Sequence, residues 1–251
     1  MKLRYITCSD PREHNPISEI IKLGKMPYAE IAVQCHPSKM ENGLPRNVWF
    51  NNLLRVAYGV PGLNLAIHIN NEWANEICVN GNIPDVLLEW FGARNKNGAP
   101  TIKRVQINMP LYTAENINSI KIAQIIKDFL RHEFIFQYND NTKIAVQKIH
   151  DTGAKFSLLF DASGGRGVAP KKWQKPIYET HPMGYSGGIS PDNVVDTLRQ
   201  INAVVPQNRC IWIDAEGRLK SNNLFDEKYK FDTELARLYV MRANNWYKQT
   251  R

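Results

Sequence analysis

Met183-Gly184-Tyr185-Ser186-Gly187-Gly188-Ile189-Ser190-Pro191-Asp192-Asn193-Val194 is the stretch on which the fold turns. Its first four residues read as the end of a strand. Two glycines follow, which let the chain turn sharply and another group approach the backbone closely. Ser190-Pro191 then has the form of a helix start, with a hydroxyl at the cap and proline at the first helical position. Strand, glycine turn and capped helix make one βα unit of a parallel sheet. Free N–H groups at such a turn, beside the positive end of a helix dipole, suit a phosphate. The same residues also make a plain tight βα turn, and both readings stand at this point. Gly187, Gly188 and Ser190 are the candidate phosphate contacts.

Outward from this unit, short β-branched runs alternate with longer helical stretches along the whole chain. The spacing predicts strands at 3–8, 29–35, 63–69, 103–109, 133–138, 155–161, 182–186 and 210–214. Helices are expected at 16–24, 46–58, 83–92, 118–131, 141–151, 190–203 and 230–245, and in 118–131 Ile122, Ile125, Ile126, Phe129 and Leu130 share one face. Eight strands with helices between them make one (β/α)8 TIM barrel, and 251 residues are near the usual size of one. A single domain over 1–251 is therefore expected. An open doubly wound sheet is the structural alternative, but no G-x-G-x-x-G follows an early strand. Two connections are long. The one at 36–46 follows a strand, on the face where a barrel keeps its active site; the one at 92–102 precedes a strand, on the opposite face.

Composition narrows the function classes. The chain is 43% hydrophobic and 22% charged, ordinary for a globular protein with a sizeable core. No apolar run approaches the ~18 residues of a membrane-spanning helix, and the N-terminus has no signal-peptide cleavage pattern. Cys8, Cys35, Cys78 and Cys210 form no C-x-x-C pair, so neither a zinc site nor a disulfide framework is expected, and a reducing cytoplasm is the simplest compartment. The net charge of +8 is spread along the chain, which fits attraction of an anionic metabolite and predicts no nucleic-acid partner. His36 and His68 both fall at strand ends without an obvious carboxylate third ligand, so no metal is expected.

A second stretch carries chemistry. Leu158-Leu159-Phe160-Asp161-Ala162-Ser163-Gly164-Gly165-Arg166-Gly167 is an apolar strand ending in a carboxylate and a glycine loop. Asp161 at the barrel mouth, shielded by that loop, is a candidate proton donor, since burial raises a carboxyl pKa. The alternative makes it a loop cap that accepts from the glycine amides.

These two segments, in this order, resemble the phosphoribosylanthranilate isomerase family, which performs the Amadori rearrangement of tryptophan biosynthesis. The family's L-L-D strand end, G-x-G loop and nearby tryptophan are matched by Leu159-Phe160-Asp161, Gly165-Arg166-Gly167 and Trp173. Its S/A-G-G-L-x-P-E-N-V phosphate segment is similar to Ser186–Val194, and its final D-V-S-S-G-V-E strand to Asp214-Ala215-Glu216-Gly217-Arg218. The likeness is closest from about 150 to 240. Toward the N-terminus, Cys8 stands where the family has its general base, Pro45-Arg46 follows a loop in which the family's arginine holds the substrate carboxylate, and Val105-Gln106-Ile107-Asn108 keeps the family's glutamine but replaces its histidine.

The resemblance implies Cys8 as base, Asp161 as acid, Arg46 and Gln106 as substrate contacts, and Gly165, Gly167, Gly187, Gly188, Ser190 and Gly217 around a phosphate. It implies a small phosphosugar substrate, no cofactor, and a monomer or homodimer. Ser9 replaces the glycine after the family's cysteine. Glu216 replaces the second serine of the last phosphate loop, and a carboxylate facing a phosphate at ~4 Å costs ~1–4 kcal/mol in effective dielectrics of ~80 to ~20. Three outcomes are open: Glu216 turns away, Arg218 compensates, or the substrate differs. The alternative function is a diverged phosphosugar-binding barrel with another isomerase, epimerase or lyase activity, or one without catalysis.

Overall fold

The computed structural model describes residues 1–223 and 226–250. Eight parallel strands close into a barrel in sequence order: β1 (Lys2–Ser9), β2 (Ala29–Cys35), β3 (Leu65–Ile69), β4 (Ile102–Ile107), β5 (Glu133–Tyr138), β6 (Ser157–Phe160), β7 (Met183–Ser186) and β8 (Cys210–Ala215). β8 pairs back onto β1, with Ile6 beside Ile213 and Thr7 beside Asp214. The helices are α1 (Ile17–Gly24), α2 (Pro37–Met40), α3 (Pro45–Tyr58), α4 (Asn71–Asn75), α5 (Asp85–Gly92), α6 (Leu111–Glu115), α7 (Ser119–Asp128), α8 (Lys143–His150), α9 (Val194–Val204) and α10 (Thr233–Gln249). The (β/α)8 expectation holds.

Residues 161–182, between β6 and β7, contain no helix, in keeping with the helix positions expected from the sequence. Several other elements differ from expectation. A 3₁₀ turn at Gly217–Leu219 and an antiparallel pair, β9 (Lys220–Asn223) and β10 (Asp226–Phe231), intervene between β8 and α10. α7 stops at Asp128, so Leu130 lies beyond it and is exposed. The helix expected from residue 190 begins at Val194. Ser190 still acts as a cap, because its Oγ accepts from the Asp192 and Asn193 amides and its carbonyl accepts from Val194. Among the described residues no helix is long and apolar enough to cross a membrane.

Strand periodicity decides what reaches the site. Successive side chains point to opposite sides of a strand. In β1, Ile6 and Cys8 join the large apolar layer between sheet and helices, while Thr7 and Ser9 bond to Glu30 and Asp214 inside the barrel. A second, separate apolar cluster of Tyr5, Ile135, Leu159 and Trp212 fills part of the interior. Trp212 fits there because Gly184 across from it has no side chain: a Cβ on Gly184 would lie 2.0 Å from the indole.

Below the mouth the interior holds charge. Arg104 Nη1 meets Glu30 Oε1 at 2.7 Å, both side chains being buried, and the Thr7 hydroxyl donates to the same Glu30 oxygen at 2.7 Å. Arg104 also lies over the rings of Trp212 (4.1 Å) and Tyr5 (4.7 Å), which suits a guanidinium with few water partners.

Candidate active site at the barrel mouth

The C-terminal ends of the strands open into a cavity of about 760 Å³. Asp161, the Gly164–Gly167 loop, Gly187–Gly188 and Asp214–Arg218 line one side, and Gln34, His68, Asn70, Gln106 and Asn108 the other. The two motif segments are thus brought together on one rim.

Asp214 sits at the end of β8 with its side chain turned inward. Ser9 Oγ donates to its Oδ1 at 2.6 Å. Burial, opposed by that hydrogen bond and reinforced by the charge of Glu216, lifts its carboxyl from an ordinary 3.8 to about 7. His68, three strands around the barrel on β3, reaches inward to place Nε2 4.0 Å from Asp214 Oδ2. Burial, helped by the charge of Arg104, lowers its pKa to about 3, so this approach is not an ion pair at neutral pH. A carboxyl that titrates near neutrality beside a neutral imidazole is a proton-transfer arrangement.

A charged cluster borders it. Asp10, with φ of 76°, holds Arg12 and Lys220, the latter at 2.7 Å. Burial works against the Asp10 carboxylate, yet Arg12 and Lys220 outweigh it and hold its pKa down. Lys220 Nζ also meets Glu216 Oε1 at 3.0 Å, and Glu216 Oε2 accepts from Gln34 Nε2 at 2.7 Å. Glu216 therefore reaches across the mouth toward β2, and Lys220 is its cationic partner.

The individual site expectations fare differently. Cys8 requires correction as the base: it is fully buried in the helix-side layer, and burial pushes its thiol pKa well up. On β1 the mouth-facing parity belongs to Thr7 and Ser9. Arg46 also requires correction. It sits in the first turn of α3, buried, and pairs with Glu13 at 3.1 Å away from the cavity wall. Arg12 is the arginine that lines the mouth on that side. Gln106 does face the cavity and donates to Asn108 Oδ1 at 2.9 Å.

Asp161 lines the cavity but is committed to its loop. Its carboxylate accepts from the Ser163 amide and hydroxyl, from Gly165 N at 2.6 Å and from Gln137 Nε2. The loop-cap alternative describes it, and the acid role does not fit a carboxylate used four times as an acceptor. Gly165, Gly167, Gly187, Gly188 and Gly217 all line the cavity. The Ser190 amide is taken by Asn193 Oδ1 at 2.8 Å, so it is closed to a ligand. Among the described residues the N–H groups of Gly187, Gly188 and Ile189 have no protein acceptor.

The residues that sequence reasoning passed over are Ser9, Gln34, His68 as the neighbour of Asp214, the titrating role of Asp214 itself, and Lys220. Strand parity offered a signal for the first three: with Asp214 taken as inward, Ser9, Gln34 and His68 share its side. Lys220 had none, because its place depends on the hairpin after β8.

No protein-family model matches the chain, and no curated protein sequence matches it. Solved structures do. The 3-hexulose-6-phosphate synthase from Salmonella typhimurium superposes with a TM-score of 0.50 at 12% identity, covering 98% of this chain and 100% of that one. A spore coat polysaccharide biosynthesis protein from Bacillus subtilis gives 0.59 at 10% identity, covering 98% and 68%. A chain of the tryptophan synthase complex from Pyrococcus furiosus gives 0.50 at 13%, covering 97% of each. At these identities the likeness is one of fold: this chain is a (β/α)8 barrel.

Proposed function

We propose that this protein is an enzyme that moves a proton on a small phosphorylated sugar, as an isomerase, epimerase or lyase does, with Asp214 as the acid–base group. The observation that carries the reading is the Asp214 carboxyl, poised near neutrality at the C-terminal end of a barrel strand. A group titrating near the working pH is present in both forms and is neither too weak a base nor too weak an acid. The rest of the mouth suits the substrate class. The N–H groups of Gly187–Ile189 and the side chains of Arg166 and Arg218 border one end, where an anion would sit. Six carboxamides, those of Gln34, Asn70, Asn71, Gln106, Asn108 and Gln137, border the other, and they match hydroxyl groups as donors and acceptors.

In the reaction, the Asp214 carboxylate removes a proton from carbon next to a carbonyl. The C–H pair becomes a C=C bond and the carbonyl pair moves onto oxygen. For an aldose–ketose isomerisation the hydroxyl on the deprotonated carbon passes its proton to the enolate oxygen and becomes the new carbonyl, while protonated Asp214 gives its proton to the former carbonyl carbon; return of the proton to the carbon it came from gives hydrogen exchange alone. The narrower reading, an Amadori rearrangement of a phosphoribosylamine as in phosphoribosylanthranilate isomerase, requires Asp214 in the place expected for Cys8.

The test is incubation with a panel of pentose and hexulose phosphates, and with phosphoribosylanthranilate made in situ, in D2O. Wild type should wash deuterium into a carbon position of at least one of them by proton NMR. Asp214→Asn should lose ~10²–10⁴ of that rate while still binding the sugar phosphate. A barrel that binds sugar phosphates but exchanges no carbon-bound proton is a binding protein, and the enzyme reading then fails.

A further inference from the structure

Asn70 fixes the sense of a chain of hydrogen bonds that ends on the catalytic side of the mouth. Its Nδ2 donates to the His68 backbone carbonyl at 2.9 Å, a group that can only accept. The Asn70 amide therefore cannot be turned over, and its oxygen is the acceptor for Asn108 Nδ2 at 2.9 Å. The second Nδ2 hydrogen goes to Gln34 Oε1 at 2.8 Å. This makes the other end of Gln34 the donor, and the Glu216 carboxylate, which Gln34 Nε2 reaches at 2.7 Å, demands the same. Gln34 Nε2 also lies 3.2 Å from His68 Nδ1. With Gln34 donating, Nδ1 must accept, and the single proton of a neutral imidazole resides on Nε2. Two independent anchors, a backbone carbonyl and a carboxylate, give the same tautomer.

Among the described residues the protonated Nε2 has no partner within hydrogen-bond distance; Asp214 Oδ2 lies 4.0 Å away, while Ser9 occupies Oδ1. Two substrate atoms separated by the carbonyl carbon fit that spacing: the carbonyl oxygen against the imidazole N–H, and the proton-bearing carbon next to the carbonyl against the free carboxylate oxygen. We propose that His68, held as the Nε2–H tautomer through Gln34 and Asn70, is a second catalytic residue, donating a hydrogen bond to the carbonyl oxygen that becomes an enolate when Asp214 takes the adjacent proton. It keeps its own proton throughout. Burial supports the role by keeping the ring neutral. A neutral N–H facing developing negative charge stabilises it without reorganisation. The proposal rests on the reading of Asp214 as the proton-transfer group, and Gln34 and Asn70 are positioning residues in it.

Long-range proton–nitrogen NMR on protein labelled with ¹⁵N-histidine tests the tautomer with no substrate present. His68 should show a protonated Nε2 and an unprotonated Nδ1 at neutral pH. A protonated Nδ1, alone or as imidazolium, overturns the proposal whatever the enzyme turns over. Gln34→Glu, which replaces the donor by an acceptor, should move the proton to Nδ1. If that variant does not fold, the wild-type spectrum decides. In the deuterium-exchange assay His68→Leu should lose ~10²–10³ in kcat with little change in KM, and His68→Gln, which keeps a neutral N–H, should regain part of it. Exchange by His68→Leu at the wild-type rate removes His68 from the chemistry while leaving Asp214 in place. Absence of exchange in wild type defeats the Asp214 reading and with it the catalytic role of His68.

Discussion

At the scale of single residues, Asp214 and Cys8 show how side-chain parity divides chemistry from packing. Each stands near the end of its strand and both are buried, yet Asp214 turns into the mouth and Cys8 into the helix layer. Burial raises both pKa values. For the thiol this only makes an inert core group, whereas for the carboxyl it brings titration near neutral pH. The same shift has a thermodynamic signature. With a folded pKa of about 7 against an ordinary 3.8, the folded state holds a proton that the unfolded chain has already released between those values. Stability from this group is therefore fully present below the unfolded value and is lost as pH rises through the folded one. The full loss is about 4 kcal/mol at most. Asp214→Asn is neutral throughout and removes this slope, although Asp10, whose pKa is shifted down, continues to add stability as pH rises. The stability of Asp214→Asn relative to wild type should then climb between about pH 4 and pH 7 and level off above. Thermal unfolding of the two proteins at several pH values measures it, and a flat difference would mean that Asp214 does not hold its proton in the fold.

At the scale of elements, the glycine turn after β7 and the loop after β6 are packed as one unit. Gly188 has φ of +63°, and a Cβ there would stand 2.9 Å from Ala169 N and 3.0 Å from Gly167 O. Gly165 has φ of +89° but nothing within 4 Å of an added Cβ. Gly188→Ala should therefore cost more than Gly165→Ala, about 2–3 against about 1 kcal/mol, since only the first adds a backbone clash to the strained conformation. Urea unfolding of the pair checks the order, and equal costs would show that the two loops are not packed together. This dependence was only partly legible in the sequence. The alternation of apolar runs with helical periods located all eight strands to within a few residues, because both patterns are local. On β1 the alternation groups Ile6 with Cys8 and Thr7 with Ser9 but does not say which group faces inward, and so Cys8 was placed at the mouth although it packs in the helix layer. Arg46 was misplaced because the chain between β2 and α3 folds its own short helix, α2, which directs the arginine to Glu13. Lys220 and the neutralisation of Glu216 were out of reach, since they depend on where the hairpin after β8 returns.

At the scale of the whole molecule, the barrel interior is a column of polar groups rather than the layers of branched aliphatics usual in this fold. Tyr5, Ile135, Leu159 and Trp212 fill only part of it, and Arg104 with Glu30 sits directly beneath the residues that would do the chemistry. Two opposite charges so deep are costly to desolvate, and their attraction only roughly compensates, so the pair should contribute little net stability while either charge alone should be ruinous. Arg104 has other partners, however: Glu133 Oε2 at 3.6 Å and the two aromatic faces. Among the described residues Glu30 has the Thr7 hydroxyl and forms an ion pair with Arg104 alone, Arg4 and Lys103 acting on it only from farther off, and its pKa is raised, burial outweighing Arg104. The asymmetry predicts an order. Arg104→Met, which strands Glu30, should cost about 3–5 kcal/mol, and Glu30→Leu, which leaves Arg104 with Glu133 and two rings, should cost less. The double variant should be more stable than Arg104→Met alone, because it removes the orphaned carboxylate. A double-mutant cycle by denaturant unfolding reads the coupling directly. If the two losses simply add, Glu133 and the aromatic rings, not Glu30, hold the guanidinium at the centre of the barrel.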